Sequence, residues 1–243
     1  MIVVGPGRVG AALMRAFPEA TLVGRLGPDE GLRTPHPGAP ILVATRADAL
    51  PDVIARTHPV NRPDLVFLQN GMIRPVLAEH GLLEATQGLL YFAATDRSGK
   101  VDAGRESVLW GRHAPLLAGR LQAAGIPTRS EADADRFRAE GATKLAWNLI
   151  FGLLGDHHDE PVGASARRQA DIAALVSEIT PVLELGFDVR LDPTRLQSEI
   201  VAYAQAIPTF RAAVRERPWR NGWLSEAAAR AGLPVRLHDS LAG

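Results

Sequence analysis

The chain reads as an α/β protein of two domains, a parallel-sheet domain over residues 1–130 and a smaller all-α domain over residues 131–243. Two observations give this reading. Short β-branched runs alternate with helical stretches from Met1 to about Arg129, as crossover-connected parallel strands do. Near Ser130 the strand signals stop, and helical periodicity continues to the end. A third observation lies at the first connection. Met1-Ile-Val-Val4 is a buried-strand signature, and Gly5-Pro6-Gly7-Arg8-Val9-Gly10 follows, leading into an apolar helical pattern through Ala11, Leu13, Met14 and Phe17.

That hexapeptide is Gly-x-Gly-x-x-Gly between a strand and a helix, the turn of a Rossmann-type dinucleotide-binding domain. Gly5 permits the tight turn, Gly7 lets a pyrophosphate approach the backbone, and Gly10 lets helix and strand pack closely. The helix N-terminus, with its free N–H groups and dipole, favours the phosphates.

Composition narrows the remaining possibilities. The chain has 243 residues, enough for a full core, with 27 Lys+Arg against 27 Asp+Glu. That balance gives no net field to draw in nucleic acid or an anionic membrane. The absence of cysteine excludes disulfides, thiolate metal sites and a cysteine nucleophile, and it fits the cytoplasm. No run approaches a membrane span, and the N-terminus enters a strand without a signal peptide.

The second strand is expected at Ala20–Val23, ending at Gly24-Arg25. An acidic residue at this place would hold a ribose 2′-hydroxyl. Arg25 suits a 2′-phosphate and so points to NADP, while Asp29 a few residues on supplies the opposing reading. Gly31 to Pro40 reads as a loop, with His36 exposed in it. Ile41–Val43 is the third strand, ending at Ala44-Thr45-Arg46, and Ala47–Thr57 has helical spacing. Asp64–Leu68 is the fourth strand and runs into Gln69-Asn70-Gly71. Ligands of open parallel sheets lie beyond the carboxyl ends of the strands, which makes Arg46 and Asn70 candidate contacts. Asn-Gly is also an ordinary turn pair. A fifth strand over Gly88–Ala93, a polar turn over Thr95–Lys100, a hairpin around Gly104, a strand over Ser107–Trp110, a helix over His113–Ala124 and a closing strand near Ile126–Arg129 complete the domain.

In the second half, Ser130 or Asp133 caps a long helix carrying Gly141-Ala-Thr-Lys144-Leu-Ala-Trp-Asn148. A second helix is expected from about Ala164 to Leu185, ended by Gly186, and another after Asp192-Pro193. Shorter helical pieces are expected at Thr209–Glu216 and Trp223–Ala231. The cluster His157-His158-Asp159 lacks the spacing of a metal site. Trp219 and Trp223 suit the core or a subunit interface.

Lys144 stands out because arginine supplies nearly every cation, and Lys144 is one of only two lysines. An arginine holds an anion but keeps its proton, whereas a lysine can give its proton up. Asn148, four residues on, shares its helix face about 6 Å along the axis. Lys144 is therefore a candidate acid/base group, against the simpler reading of a surface lysine.

With the glycine turn, Arg25, Arg46, Gln69-Asn70-Gly71 and Thr143-Lys-Leu-Ala-Trp-Asn148 in place, the chain resembles the ketopantoate reductase family over most of its length. The resemblance implies a dinucleotide-binding domain followed by an all-α domain, with the active site in the cleft, and a possible homodimer formed through the helical domain. It implies reduction of a 2-keto acid (2-dehydropantoate or a relative), with hydride from NADPH and a proton from Lys144. Asn70 would touch both cofactor and substrate, and Asn148 would hold substrate. Arg46 matches the family's lysine at the cofactor phosphates, and Ser98 falls in the turn that approaches the cofactor. Glu216 has the spacing of the family's late glutamate, five residues before Asn221-Gly222, and would by that resemblance be a cofactor contact. Thr209, in Pro208-Thr209-Phe210, takes the place of the family's serine as a substrate contact.

Two departures accompany the resemblance. Gly152 stands where the family has a second asparagine, and the segment from Thr209 to Glu216 is shortened. A lost polar contact in a buried site costs about 1–3 kcal/mol, so these changes bear on substrate choice before reaction type. Two other functions compete. One is a 3-hydroxyacid dehydrogenase of the same layout, against which the Gln-Asn-Gly turn speaks. The other is a non-enzymatic NADP(H)-binding redox sensor, suggested by Gly152 and the short C-terminal half.

Overall fold

The computed structural model describes residues 1–24, 30–93, 96 and 98–242. The chain divides within one long helix into two compact units, Met1–Phe137 and Arg138–Gly243.

The first unit is built on β1 (Ile2–Val4), β2 (Thr21–Val23), β3 (Ile41–Val43), β4 (Leu65–Phe67), β5 (Thr86–Leu89), β8 (Ser107–Trp110) and β9 (Thr128–Glu131). Their order across the sheet is β2-β1-β3-β4-β5-β8-β9. The first five strands are mutually parallel, β8 runs antiparallel to β5, and β9 is parallel to β8. Residues 86–93, expected to hold one strand starting at Gly88, instead form β5 and a short β6 (Phe92–Ala93) that pairs antiparallel with β7 (Asp102–Ala103). The hairpin expected around Gly104 lies earlier, as this small ribbon, whose second strand ends at Ala103. The helices of the unit are α1 (Arg8–Ala16), α2 (Glu30–Arg33), α3 (Leu50–Arg56), α4 (Arg74–Glu79) and α5 (Ala114–Ala123).

Near-continuous apolar strands are what a sheet covered on both faces requires. Val3, Leu42, Val66 and Leu109 pack with Leu13, Phe17, Leu117 and Leu121 of α1 and α5. Strand alternation turns Val4, Val43 and Phe67 to the opposite face, where they are equally buried. His36, expected to be simply exposed, is half-buried: its N–H donates to Asn61 Oδ1 at 2.8 Å, and its ring contacts the Gly31 carbonyl. Asn61 also donates to Thr34 O at 2.8 Å, so the Gly/Pro-rich loop is held by side-chain bonds that no periodicity encodes.

The second unit contains most of α6 (Ala134–His158), then α7 (Val162–Ser165), α8 (Gln169–Phe187), α9 (Pro193–Ala206), α10 (Asn221–Ala231) and α11 (Arg236–Ala242). Asp133 caps α6, its Oδ1 accepting from the N–H groups of Asp135 and Arg136, while Ser130 lies in β9. From Gly141 to Gly155, α6 is buried almost all round, as befits the central helix of an all-α unit. Gly141 is a packing residue, since a Cβ there would come within 2.9 Å of the Phe187 ring.

Gly186 does not end its helix. α8 runs to Phe187 and stops at Asp188, whose φ of 54° is the left-handed conformation that aspartate tolerates better than most residues. The expected start at Ala164 belongs to the separate turn of α7. Thr209–Glu216, expected to be helical, is a strap without regular secondary structure, in which Thr209 lies in a turn and Glu216 is left-handed at φ 49°. Gly163 N–H donates to Pro208 O at 3.0 Å, Val162 N–H to Phe210 O at 2.9 Å, and Val214 N–H to Asp156 Oδ2 at 2.8 Å. Bonds to neighbouring elements replace the intrahelical ladder, and tertiary pairing overrides a weak local propensity.

Candidate active site

The first unit carries a nucleotide-sized crevice at the point where the strand order reverses, between β1 and β3. Crossovers leave β1 and β3 toward opposite sides there and open a gap beyond the strand ends. Its volume is about 600 Å³, and its lining includes Gly5, Pro6 and Gly7 after β1, Gly24 after β2, Thr45 and Arg46 after β3, and Asp52 and Arg56 of α3. Gly5 has φ +110°, and a Cβ on Gly10 would lie 1.9 Å from the Gly5 carbonyl oxygen. The turn therefore exists only with glycine at both places. Gly7 is the N-cap of α1, and the first turn of α1 has no acidic residue. Arg8 and Val9 open that helix.

The residues present fit a dinucleotide. The crevice lies at the N-terminus of a nine-residue helix, and the buried Thr45 hydroxyl has no hydrogen-bond partner among the described residues. Arg46 is exposed and pairs with Asp48 at 3.3 Å, and Arg56 pairs with Asp52 at 3.2 Å. Arg25 and Asp29, on which the choice between NADP and NAD was expected to turn, lie outside the described residues.

Asn70 is exposed just beyond β4. The preceding Gln69 is a clasp: its amide donates to the carbonyls of Val43 at 2.8 Å and Thr45 at 3.1 Å, and its oxygen accepts from Leu68 N–H. Gln69 thus ties the end of β4 to the end of β3 and sets where Asn70 begins. Ser98 is exposed in the turn before β7, its Oγ accepting from Lys100 N–H and its own N–H donating to Asp96. The turn lies against α1, because a Cβ on Gly99 would reach 2.8 Å from the Ala11 carbonyl.

The second unit holds Lys144. Between Gly141 and Gly155, Lys144 and Asn148 are the two residues of α6 that keep partial exposure, and they lie one turn apart on one stripe. Asn148 Nδ2 donates to Lys144 O at 2.8 Å, which leaves a second N–H donor and the Oδ1 acceptor of the amide for other partners. The Lys144 ammonium is pushed down to about 7. Burial is the largest cause, the Arg220 guanidinium adds to it, and Glu216 opposes both.

One turn further, the stripe closes. Gly152 is buried, and a Cβ there would meet the Ala213 carbonyl at 3.2 Å. Gly155 is tighter still, at 2.5 Å from Ala212 O. The departure at Gly152 thus has a structural reason: the strap lies across α6 where an asparagine side chain would otherwise project. Thr209 is exposed at the start of the strap.

Glu216, expected at the cofactor, pairs with Arg220 at 2.8 Å within the helical unit, and these two residues set the electrostatics at Lys144. Arg220 is absent from the sequence-derived site, and only the structure sets it apart. An arginine occupies the N-cap of α10, where Ser, Thr, Asp or Asn is the rule and the helix dipole disfavours a cation. His157 and His158 stack edge-on at the end of α6, and among the described residues no acidic or histidine cluster has the makings of a metal site. Trp223 is core, and Trp219 is half-buried.

No known family's sequence pattern matches this chain, and no curated protein does. Solved structures do. A PanE/ApbA family ketopantoate reductase from Ralstonia eutropha superposes with a TM-score of 0.73 at 20% identity, covering 99% of this chain and 96% of the other. A dimeric ketopantoate reductase from Staphylococcus aureus gives 0.72 at 16% identity over 99% and 95%. D-mandelate dehydrogenase, in its ternary structure with NADH and anilino(oxo)acetate, gives 0.69 at 15% identity over 99% and 96%. The class that the fold defines is therefore a dinucleotide-binding α/β unit followed by a helical unit. Within it, this chain has the fold of the ketopantoate reductases, which D-mandelate dehydrogenase shares.

Proposed function

We propose that this chain is a nicotinamide-dependent oxidoreductase that interconverts a 2-oxo acid and its 2-hydroxy acid, working in the reductive direction with NADPH. The observation that carries this reading is the state of Lys144. A lysine brought to about 7 on a half-open stripe of an otherwise buried helix can donate and regain a proton at neutral pH. The fold shared with ketopantoate reductases and D-mandelate dehydrogenase supports it.

Gly5, Pro6, Gly7, Arg8, Val9 and Gly10 would hold the pyrophosphate of the cofactor, with Arg46 also at its phosphates, Arg25 at the 2′-phosphate, Ser98 in the turn that approaches the cofactor, and Asn70 touching both cofactor and substrate. When bound, the cofactor supplies hydride to the keto carbon. Lys144 gives its proton to the carbonyl oxygen as negative charge gathers there, and its positive charge stabilises that oxygen beforehand. Asn148 offers Oδ1 to a substrate hydroxyl, and Asn70 orients the keto group. Glu216 holds Arg220, and Thr209 lies at the rim. The substrate is 2-dehydropantoate or a related keto acid, and the reading carries with it a homodimer formed through the helical unit; the similar Staphylococcus aureus ketopantoate reductase is dimeric.

The test is turnover of NADPH and NADH with a panel of 2-oxo acids. Wild-type turnover with one of them, and loss of about 10²–10⁴-fold in kcat on Lys144→Ala, are the expected results. Absence of turnover with every keto acid would sink the reading. A second reading is a cofactor-binding redox sensor, favoured by the strap over Gly152, which closes part of the polar stripe. Tight NADPH binding without turnover would select it.

A further inference from the structure

We propose that His238 is a positioning residue for the proton transfer at Lys144, acting through Asn221 on the turn that carries Glu216 and Arg220, and that it does so only as the neutral imidazole. This rests on the oxidoreductase reading above and adds to it a residue that acts through others.

The C-terminal helix α11 closes on that turn and on the start of α10 at three points. Arg217 Nη1–H donates to Ala242 O at 3.1 Å, Ser225 Oγ–H donates to Asp239 Oδ1 at 2.6 Å, and Asn221 Nδ2–H donates to His238 Nε2 at 3.1 Å. The helix is itself fixed from α8, because the two carboxylate oxygens of Glu178 accept from the N–H groups of Leu237 and His238, each at 3.0 Å. The turn is tightly folded, since a Cβ on Gly222 would lie 2.8 Å from Arg217 O. Asn221 follows Arg220 directly, and its Nδ2 also lies 3.5 Å from Leu149 O on α6, the residue after Asn148. One buried amide therefore joins α11, the turn holding Arg220, and the helix that carries Lys144.

The bonding admits one proton state. His238 has no exposed surface, and its Nδ1 faces Asp239 Oδ1 at 3.0 Å. A carboxylate only accepts, so Nδ1 carries the hydrogen, and Nε2 is the bare acceptor for Asn221. The groups facing the ring are Asp239 on its own helix, Glu178 of α8, Arg217 of the turn and the neutral Asn221 of α10. Burial outweighs the two carboxylates and keeps the ring neutral. A second proton would set Nε2–H against Asn221 Nδ2–H, two donors face to face. The amide can answer by turning over, because Asn221 Oδ1 is buried and has no hydrogen-bond partner among the described residues. Turned, it accepts from the imidazolium, and its NH2 leaves Leu149 O. Acid thus loosens the tie between α6 and the turn, and with it the placement of Arg220 and Glu216, the two charges that act on Lys144.

The experiment compares the full-length wild type with H238Q and H238N, at saturating NADPH and with a 2-oxo acid that the wild type reduces. A glutamine keeps an acceptor near the place of Nε2 and holds Asn221, whereas an asparagine keeps only a donor near Nδ1. Neither takes up the proton. The expected result is a kcat at pH 7 lowered about 10–100-fold in H238N with little change in KM, and recovered to within about threefold of wild type in H238Q. Wild-type kcat should also fall below the ordinary histidine range near 6.5, and H238Q should lack that acid limb while keeping the alkaline one. A merely structural histidine would affect both variants alike and leave the limb in place. Equal kcat in H238N and H238Q, a wild type without an acid limb, or a limb unchanged in H238Q would overturn the assignment. Should H238N not fold, the acid limb of H238Q decides, and an H238Q that does not fold makes the ring a packing group and overturns it as well. A wild type that reduces no keto acid sinks the oxidoreductase reading instead, and 13C-lysine NMR then decides the positioning alone, Lys100 and Lys144 being the two lysines. The Lys144 titration should move up in H238N, where Arg220, whose effect exceeds that of Glu216, is released, and should stay in place in H238Q. The same midpoint in all three proteins overturns the proposal.

Discussion

At the scale of single residues, the decisive quantity is the proton on Lys144. Burial and Arg220 bring it down to about 7 from the ordinary lysine value. In the proposed reaction the ammonium form is the acid that reduction needs, so kcat for reduction should fall as pH rises through about 7. The neutral amine is the base for oxidation, so oxidation of the 2-hydroxy acid should rise through the same range. Stopped-flow or steady-state pH profiles in both directions check this pair of limbs. Lys144→Arg keeps a cation but no transferable proton, and it should lose about as much kcat as Lys144→Ala. The same lowering has a cost in stability. The unfolded chain protonates this lysine already below about 10.5, while the folded chain waits until about 7, so stability falls as pH drops across that interval. Lys144→Met should therefore raise the denaturation midpoint at pH 8 while abolishing turnover, a trade common at catalytic sites.

At the scale of elements, the pairing of α6 with the strap at 209–216 sets the size of the polar stripe. The Cβ distances at Gly152 and Gly155, 3.2 and 2.5 Å to strap carbonyls, leave no room for side chains. Gly155→Ala should cost about 1–3 kcal/mol in urea unfolding, with Gly152→Asn similarly unfavourable. Gly152→Asn should not improve turnover of 2-ketopantoate, because the new amide must first displace the strap. An asparagine variant that folds normally and turns over faster would show that the strap lifts easily. The turn between β1 and α1 obeys the same steric rule. Gly10→Ala drives a methyl into the Gly5 carbonyl, and NADPH binding measured by fluorescence should be lost even where the unit still folds.

At the scale of the whole molecule, stability should respond to nucleotide and to acid. NADPH at 100 times its Kd should stabilise by about 2.7 kcal/mol, visible as a higher melting temperature. Acid should act through buried histidines. His238 has no exposed surface, accepts from Asn221 Nδ2 at 3.1 Å through Nε2, donates through Nδ1 to Asp239 Oδ1 at 3.0 Å, and is lowered chiefly by burial, with Asp239 opposing. His113, against the buried Asp64, is also lowered by burial and by Arg112. A base lowered in the folded state is protonated first in the unfolded state, so stability should decline as pH falls below the ordinary histidine range near 6.5. Unfolding curves between pH 7.5 and 5 check the slope, and His238→Gln should flatten it.

How much of this could be read in advance differs by feature. Strands β1, β2, β3, β4 and β8 were legible because each is a short apolar run closed by a turn signal, and the glycine turn because its spacing is a steric requirement of one backbone path. Lys144 and Asn148 were legible as a pair because helical spacing alone places them on one face. Arg220 was not, since nothing local distinguishes a buried arginine from the many exposed ones. The strap was misread as a helix because its hydrogen bonds go to α7 and to Asp156, residues about 45 to 60 positions away in the chain. Gly152 looked like a missing contact, and it is a seat for backbone. By itself the sequence determined what local spacing controls: the apolar strands of the first unit, the long helix α6 and its lysine face, and the glycine turn. Tertiary structure alone decided which charges meet at Lys144 and what covers the rest of its stripe. Both depend on close approach between segments remote in the chain, and burial, which shifts the proton on Lys144, exists only once those segments have packed.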